Sequence, residues 1–279
     1  GRGYSPQGDF LKDDQPIDIK DYPAIKSTLW LGTLNNDAQL EPAGEQDGRE
    51  IFRMVGDPTE GAILVAALKM GASIDLLNQT FPRAQEIPFD SVRKRMLTIH
   101  SVDDQANDDL SLINNGQRQQ NPYIINVKGA PDVVLGLCTH IEVGNDRLEP
   151  LTEARRQEVL AANDAMTNDA LRVLGVACRT VTTLPEEIDS EELERDLTFV
   201  GLIGMIDPAR EEVSDAIDTA NRAGIRTIMI TGDYLNTARA IAEQIGLLRP
   251  GHQVMAGSTL DTLSDEEMIQ NVQITDVYA

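Results

Sequence analysis

A short apolar run that leads into Lys128, Gly129 and Pro131 constrains the fold of this chain more than any other feature. The run, Tyr123–Val127, predicts a strand, and Pro131 suits the first turn of a helix because that position needs no backbone N–H. The glycine would let a ligand come close to the backbone. A strand, a lysine and a helix start together form a layout that can hold a nucleotide. The alternative is that Lys128 is a solvated strand end.

The pattern of predicted elements changes at Leu197, after which strands and helices alternate. The predicted elements are a strand at Leu197–Met205, a helix at Arg210–Ala223, a strand at Ile225–Ile230 and a helix at Asn236–Ile245. Such alternation is typical of a parallel sheet with crossover helices. A doubly wound domain needs more strands than residues 207–279 can supply, so we expect this part to be incomplete.

The preceding residues predict a different domain. Strands are expected at Met96–Val102, Tyr123–Val127 and Arg172–Val181, and helices at Ala24–Leu34 and Thr152–Ala170. The polar stretch 103–121 reads as a long connection between two strands, and the acidic stretch 185–196 as a short solvated helix. We therefore expect an α/β domain over residues 1–206, with an antiparallel sheet flanked by helices, and an incomplete parallel domain over residues 207–279.

Composition narrows the class of protein. The formal net charge of the 279 residues is −22, which argues against a nucleic-acid surface, since such surfaces are normally basic. No run approaches the roughly 20 apolar residues that cross a bilayer. Cys138 and Cys178 lie in apolar surroundings, so we expect reduced thiols in the core and no disulfide. The three histidines show no metal-ligand spacing, and no metal site is predicted.

Residues Asp57-Pro58-Thr59-Glu60 predict a helix start. Asp57 can accept hydrogen bonds at the N-cap, and Pro58 fits the first helical position. Glu60 lies where a reciprocal capping partner would lie, which by itself explains its presence.

Two further stretches could contact phosphates. Thr231-Gly232-Asp233 follows a predicted strand, at the sheet edge where ligands bind in open parallel sheets, and could meet a phosphate and its magnesium. An ordinary turn with an aspartate cap is the alternative. Asp207-Pro208-Ala209-Arg210 is either a proline-broken strand with Asp207 as helix cap, or a hinge at which Asp207 and Arg210 help to hold a nucleotide.

The chain has neither a Walker A loop nor a GxGxxG fingerprint, so a nucleotide would need another kind of site. Six motifs, taken in order, resemble those of the P-type cation-transporting ATPases, and most closely the calcium-pump branch. They run from Val55 to Leu247 and are Gly56–Ala62, Pro88–Met96, Lys128–Asp132, Leu171–Leu174, Asp207–Arg210, and Thr231–Asp233 with Thr237 and Ala238.

The resemblance implies a nucleotide site on the first domain. Phe89 would stack on the adenine, Glu60 would lie near its amino group, and Gly129 would leave room for the base. Lys94 and Lys128 match the lysines of the family's pocket, and Arg172 matches an arginine that reaches the phosphates. Aromatic and cationic side chains of this kind suit a nucleotide. Core packing for Phe89 and solvated charges for Lys94 and Arg172 are the alternatives.

The resemblance also implies what surrounds this segment. The family's Asp-Lys-Thr-Gly-Thr motif with its phosphorylated aspartate is absent, as are its Gly-Asp-Gly-x-Asn-Asp motif and all transmembrane helices. Ala209 replaces the family's second hinge proline. We expect a cytoplasmic, monomeric fragment of a membrane-embedded pump, which uses ATP and Mg²⁺ and has the rest of the pump as its partner. The fragment should bind ATP or ADP weakly without hydrolysing it. Lys128→Ala and Phe89→Ala should each weaken that binding without unfolding the domain.

Two other functions remain open on the sequence. A free-standing phosphatase of the haloacid-dehalogenase type would share the parallel fold but needs its own aspartate nucleophile at the end of a first strand. An acidic interaction module without enzymatic activity would show no response to nucleotide near Phe89 and Lys128.

Overall fold

The computed structural model describes residues 4–46, 49–102, 122–143, 147–169, 171–184, 190–207, 209–232, 235–260 and 262–279. The chain divides into two compact units. The first comprises residues 1–160 and 173–203, and the second comprises residues 161–172 and 204–279. The expected 103–121 connection and residues 185–189 of the acidic stretch lie outside the described residues.

The strands, numbered in chain order, are short in the first fifty residues and longer afterwards. They are β1 Phe10–Lys12, β2 Gln15–Ile17, β3 Gln39–Gln46, β4 Arg49–Val55, β5 Arg83–Asp90, β6 Arg95–Ser101, β7 Tyr123–Gly129, β8 Cys138–Glu142, β9 Leu148–Pro150, β10 Arg172–Val181, β11 Leu197–Met205, β12 Met229–Ile230, β13 Gln253–Met255 and β14 Thr275–Tyr278.

The helices are mostly short, with one longer helix of sixteen residues at Glu153–Asn168. They are α1 Pro23–Leu34, α2 Pro58–Lys69, α3 Ile74–Thr80, α4 Pro131–Gly136, α5 Glu153–Asn168, α6 Ser190–Leu193, α7 Glu211–Arg222, α8 Leu235–Gln244, α9 Gly257–Leu260 and α10 Asp265–Ile274. Among the residues that the structure describes, no helix is both long enough and apolar enough to span a bilayer.

A seven-stranded sheet, in the order β5-β6-β7-β10-β11-β8-β9, forms the centre of the first unit. The pairs β5–β6, β6–β7, β7–β10 and β8–β9 are antiparallel, whereas β11 and β8 are parallel. β7 lies inside the sheet, between β6 and β10, and all of its residues after Tyr123 are buried. This placement decides the environment of Lys128.

Helices pack against the sheet on both faces. On one face Trp30, Leu31 and Leu34 of α1 pack with Leu77 of α3 and with Ile124 of β7. On the other face a second buried cluster includes residues of α4 and α6. Its least exposed members are Leu97, Ile99, Ile125, Val127, Val134, Leu135, Ala177, Leu193 and Leu197. The expected α/β architecture, with an antiparallel sheet flanked by helices, is confirmed.

The second unit contains a three-stranded parallel sheet in the order β12-β14-β13. Its core joins α7, α8 and β14 through Ile217, Ala238, Ala242 and Val277. The Asp276 carboxylate is fully buried there, beside Arg226, Arg249 and His252. Burial tends to raise the pKa of Asp276, but the hydrogen bonds and charge of Arg249 prevail and lower it to about 2.

Several expected elements appear with small shifts, and some expectations are wrong. β10 and β11 have the expected bounds, and Ser264 and Glu267 form the capping box that opens α10. The strand expected at Ile225–Ile230 shrinks to Met229–Ile230, and Ile225 is 61% exposed. Arg210, not Asp207, occupies the N-cap of α7. Both cysteines are free thiols, as expected, and burial raises the pKa of each to about 12.

Candidate functional site

Lys128 is a buried cation and not a strand end. β7 continues through Gly129, so Lys128 pairs with Met96 of β6 and Val176 of β10. Only 5% of the residue is exposed. Its Nζ lies 2.7 Å from Glu60 Oε1 and also donates to the Asn35 carbonyl. A solvated lysine is therefore excluded, and Lys128 and Glu60, called the buried pair below, form one unit.

Burial dominates the electrostatics of the buried pair. Desolvation lowers the pKa of Lys128, while the Glu60 carboxylate raises it. A buried ammonium is stable only when it is paired and hydrogen-bonded. The contacts to Glu60 and Asn35 supply both requirements, and they hold the lysine side chain in one position.

The segment that follows α1 completes the surroundings of Lys128. The Asn35 side-chain amide donates to the backbone carbonyls of Met96 and Asn126, at 3.2 and 2.9 Å. The Asp37 N–H donates to Glu60 Oε2 at 3.0 Å. These bonds join the segment after α1 to α2, β6 and β7, so the buried pair is part of the framework of the unit.

Arg83 fixes the same segment from β5. Its guanidinium donates to the carbonyls of Leu34 and Asn36, at 3.0 and 2.7 Å, and to the Asp37 carboxylate at 2.6 Å. Carboxylate partners strengthen such contacts because the charges add to the hydrogen bonds. The first unit thus holds residues 34–37 by side chains from distant parts of the chain.

Helix α2 begins as predicted. Asp57 is the N-cap and its carboxylate accepts from Thr59 N at 2.7 Å, while Pro58 occupies the first turn. The Glu60 carboxylate accepts from Lys128 Nζ and from Asp37 N. Capping therefore does not suffice to explain Glu60, because its carboxylate also neutralises a buried cation.

The packing of β6 against Gly129 leaves no room for a side chain at this position. A Cβ added to Gly129 would lie 2.4 Å from the Lys94 carbonyl oxygen and 2.6 Å from Arg95 Cβ. The Ala130 N–H donates to that same Lys94 carbonyl at 3.0 Å. The close approach of β6 therefore requires the glycine, and the idea that it leaves room for a base stays a prediction.

Residues 88–95, called the hairpin below, comprise the end of β5, the connecting turn and the first residue of β6, and they present apolar side chains to solvent. Phe89 is 61% exposed and Val92 is 88% exposed. Asp90 organises the turn, because its carboxylate accepts from Val92 N and Arg93 N at 2.9 and 2.8 Å. Phe89 is therefore not a core residue, and its exposed ring is available to stack on another flat group.

Lys94 adopts a left-handed backbone conformation, with a φ of 55°. A lysine at positive φ is uncommon, and such strain persists only where the surroundings hold it. The Lys94 N–H donates to Asp90 O at 2.6 Å, and its carbonyl accepts from Ala130 N. The backbone of Lys94 is thus fixed at both ends while its side chain is exposed.

The strand register brings the hairpin close to the buried pair. Asp90 of β5 pairs with Arg95 of β6, and Arg95 pairs with Gly129 of β7. Neighbouring strands lie about 4.8 Å apart, so the position beside Phe89 is roughly 10 Å from Gly129. Phe89, Lys94, Gly129, Lys128 and Glu60 therefore belong to one region of the first unit.

Sequence patterns pointed to none of Asn35, Arg83 and Glu194 in this region. Glu194, directly after α6, is 1% exposed and accepts hydrogen bonds from both Arg93 and Arg95. The acidic stretch was expected to be solvated, which is wrong for this residue. The cluster Arg93-Lys94-Arg95 was a signal that counter-charges are needed, but nothing in the sequence pointed to a carboxylate about a hundred positions away.

The other predicted residues belong to the second unit. Arg172 begins β10 and is exposed, as are Asp207 and Arg210 on either side of residue 208. Thr231 and Gly232 follow β12 directly, at the carboxyl end of that parallel strand, and a Cβ on Gly232 would meet no atom within 4 Å. Asp233 and Pro208 lie outside the described residues. The phosphate-contacting role of all these residues stays a prediction.

A cleft of about 440 Å³ lies elsewhere on the first unit. It is lined by Arg179–Leu184, Glu192, Leu193 and Arg195, and none of the predicted site residues contributes to its wall. Arg179 is the cation most enclosed in it, and burial lowers the pKa of its guanidinium.

Known proteins match this chain over most of its length. The family model described as P-type ATPase, cytoplasmic domain N, matches residues 24–212. A calcium-transporting ATPase 1 of Bacillus cereus is 41% identical over 224 residues, which is 80% of this chain and 23% of that protein. A calcium-transporting ATPase of Bacillus subtilis is 36% identical over 280 residues, covering 100% of this chain and 29% of that protein.

A probable cation-transporting ATPase F of Mycobacterium tuberculosis is 34% identical and also covers 100% of this chain and 29% of its own length. The chain thus spans between 23% and 29% of these three relatives. The family model covers residues 24–212, and the identities reach 41%. Together they establish the family of this chain. The chain belongs to the P-type ATPases, and its residues 24–212 match the family's cytoplasmic domain N.

Proposed function

We propose that this chain binds the adenine nucleotide of a P-type cation pump, on the surface formed by the hairpin and the buried pair. The exposed Phe89 ring would stack on the adenine, and Lys94 would meet the phosphates. Lys128, held by Glu60 and the Asn35 carbonyl, would fix the framework beside the bound nucleotide. The resemblance supplies these roles, and it is also the ground on which nucleotide contacts are proposed for Arg172, Asp207, Arg210, Thr231, Gly232 and Asp233.

One observation carries this proposal: an aromatic ring that is 61% exposed lies in the same hairpin as a lysine whose backbone is held in a left-handed conformation. Adjoining exposed apolar side chains can form a binding surface, and Phe89 and Val92 are both exposed in this hairpin. An adenine offers a flat face to Phe89 and a trailing negative charge to Lys94. Stacking of a base on an aromatic side chain is worth about 1–3 kcal/mol.

The donor set of the hairpin and the buried pair suits ATP better than it suits a free metal ion. It offers an aromatic face and ammonium groups, whereas Mg²⁺ prefers oxygen ligands. Among the residues that the structure describes, no group of three or more His, Cys, Asp or Glu could hold a metal. We infer that Mg²⁺ arrives with the nucleotide, where it would neutralise phosphate charge, and that Lys94 contributes to the same neutralisation.

We propose that the parent protein is an integral membrane pump that transports a cation, with calcium as the specific expectation. It would transfer the terminal phosphoryl group of ATP to an aspartate and then hydrolyse the acyl phosphate. Phosphoryl transfer depends above all on positioning and charge neutralisation, and the present chain supplies the positioning part on the cytoplasmic side. Its partners would be the remainder of the pump.

The family assignment favours the pump over the two alternatives. A free-standing phosphatase or an acidic interaction module gives no account of an identity of 34–41% with cation-transporting ATPases over at least 80% of the chain. No separate observation supports either alternative.

Calorimetric titration with Mg·ATP and Mg·ADP tests the proposal. We expect both nucleotides to bind weakly, with a dissociation constant near 1 mM, or about −4 kcal/mol. We also expect no release of inorganic phosphate from ATP. Binding that Phe89→Ala leaves unchanged would contradict the site, and Lys128-dependent release of phosphate by the pure chain would contradict the expected lack of turnover.

A second experiment tests the role of the parent protein. The complete pump, reconstituted in vesicles, should accumulate Ca²⁺ when ATP and Mg²⁺ are supplied outside, and it should form a phosphoenzyme that hydroxylamine cleaves. Uptake of another cation in place of Ca²⁺ would keep the pump and correct the ion.

A further inference from the structure

We propose that Glu194 is a positioning residue for nucleotide binding. Its buried carboxylate holds Arg93 and Arg95, so that Lys94 alone of the three consecutive cations projects into solvent from the hairpin that carries Phe89. This inference rests on the proposed function, since it concerns how the same site is shaped.

The contacts are direct. Arg93 Nη2 donates to Glu194 Oε1, and Arg95 donates to Glu194 Oε2 from Nε at 2.9 Å and from Nη2 at 2.5 Å. The Arg95 guanidinium also donates to the Arg93 carbonyl at 3.1 Å. Both oxygens of one carboxylate are therefore engaged, and the two arginines are tied to each other.

Burial makes this arrangement specific. The Glu194 side chain is 1% exposed, and those of Arg93 and Arg95 are 23% and 19% exposed. A carboxylate removed from water needs charged partners, and a planar guanidinium satisfies two acceptors at once. The two arginines are thus directed towards the protein, which leaves Lys94 as the cation of the cluster that can meet phosphates.

The backbone on either side of Glu194 is fixed by packing and hydrogen bonds. Leu193 is 1% exposed and packs in the core, and Leu197 N donates to Leu137 O at 3.1 Å. Directly before Leu193, the Glu192 carbonyl accepts from Arg179 at 2.7 Å. A carboxylate on such a fixed segment can restrain the hairpin through Arg93 and Arg95.

The left-handed conformation of Lys94 fits this role. Residues on both sides of Lys94 are held by one carboxylate, and the chain between them turns through a φ of 55°. Without Glu194 the two guanidinium groups would lose their shared partner and the turn would lose its outer restraint. The hairpin would then sample more conformations, and nucleotide binding would have to order it first.

The test compares the dissociation constant of Mg·ATP for the full chain and for Glu194→Gln. We expect binding to weaken about tenfold in Glu194→Gln, which is about 1.4 kcal/mol. The matched control is Asp276→Asn, which removes an equally buried carboxylate from its arginines in the second unit and should leave the dissociation constant unchanged. An affinity for Glu194→Gln equal to that of the wild type, or higher because freed arginines bind phosphate, would overturn the inference.

A double-mutant cycle separates positioning from general loss of stability. In an Arg93→Gln/Arg95→Gln background, Glu194→Gln should add no further weakening, because its partners are already gone. An undiminished additional loss in that background would show that Glu194 acts by another route. If Glu194→Gln fails to fold, Arg95→Gln serves in its place. We then expect nucleotide binding to weaken about threefold, because this variant removes only part of the clamp, that is, of the contacts of Glu194 with Arg93 and Arg95.

Hydrogen exchange distinguishes failure of this inference from failure of the proposed function. In the absence of nucleotide, Glu194→Gln should speed exchange at the amides of Lys94 and Ala130, whereas Asp276→Asn should not. If exchange is faster in Glu194→Gln but the wild-type chain does not bind ATP, the role of Glu194 in holding the hairpin is supported and the nucleotide site is refuted. Unchanged exchange in a chain that binds ATP would refute the clamp.

Discussion

Lys128 of the buried pair and Lys94 of the hairpin lie close together along the paired strands β7 and β6, yet their environments are opposite. Lys128 is 5% exposed and is paired with Glu60, while Lys94 is exposed in a strained turn. The two lysines look alike in the sequence as members of nucleotide-binding motifs. The difference shows that a lysine in such a motif can stabilise the fold, contact the ligand, or do both. The burial of its side chain distinguishes these roles.

The largest effect is expected at Lys128. Lys128→Ala leaves the Glu60 carboxylate buried without its cation, which should lower the free energy of unfolding by about 3–5 kcal/mol. The expectation from the sequence that this substitution weakens nucleotide binding without harm to the fold therefore needs correction. Urea unfolding measures the loss, with exposed Lys20→Ala as the control, for which we expect less than about 0.5 kcal/mol.

The double variant Glu60→Gln/Lys128→Met sharpens this prediction. Removal of both charges should recover a large part of the stability that Lys128→Ala loses, because no uncompensated buried charge remains. A double variant as unstable as the single one would show that the ion pair is not the reason for the loss.

Acid should destabilise the framework beside the buried pair through His100. His100 is 1% exposed, its Nδ1 lies 2.8 Å from the Phe81 carbonyl, and burial lowers its pKa to about 4. The unfolded chain binds the proton near pH 6.5, so stability should fall as the pH drops from about 6.5 to about 4, by up to roughly 3 kcal/mol. Below that interval the contribution is fully lost.

Unfolding measured at several pH values checks this dependence. His100→Gln should flatten it between pH 4 and 6.5, while exposed His140→Gln should retain it. An equal slope in His100→Gln and in the wild type would assign the acid response to other groups.

Phe89 should affect binding without affecting the fold. Phe89→Ala removes the stacking surface, which should cost about 1–3 kcal/mol of nucleotide binding. Because the ring is 61% exposed, the free energy of unfolding should stay within about 0.5 kcal/mol of the wild type. Val92→Ala, an exposed apolar residue of the same hairpin, is the matched control in the calorimetric titration and should bind like the wild type.

The smallest effect distinguishes the charge of Lys94 from its backbone. Lys94→Ala and Lys94→Gly remove the same ammonium, and both should weaken nucleotide binding by the same factor. Glycine adopts a positive φ without strain, so Lys94→Gly should be more stable than Lys94→Ala by about 1 kcal/mol. Equal stabilities would show that the turn is not strained at this residue, and unequal affinities would show that its backbone conformation matters for binding.

Local patterns of sequence predicted much of the fold. β10 and β11 appear with the expected bounds, and α2 begins at Pro58 behind the Asp57 cap. These features depend on apolar periodicity and capping, which act within a few residues. The strand expected at Ile225–Ile230 was shortened because it lies at the edge of a small sheet, where Ile230 is 82% exposed and pairing with β14 covers two residues.

The candidate site was only partly predictable because its contacts join distant residues. Glu60 and Lys128 were both named from motifs, but nothing local showed that their side chains meet across 68 positions. Glu194 was interpreted as solvated, since its partners lie 99 and 101 positions away. Asn35 and Arg83 were not named, although they hold the segment beside Lys128. Sequence periodicity carries no information about such pairings.

The most direct test of the nucleotide site is an NMR titration of the chain with Mg·ATP, followed at the Phe89 ring and at the amides of Lys94 and Gly129. We predict saturable shifts at these three positions, with little change around the Arg179–Leu184 cleft. Shifts confined to that cleft, or no shift at Phe89 up to concentrations several times 1 mM, would contradict the assignment of the hairpin and the buried pair as the adenine site.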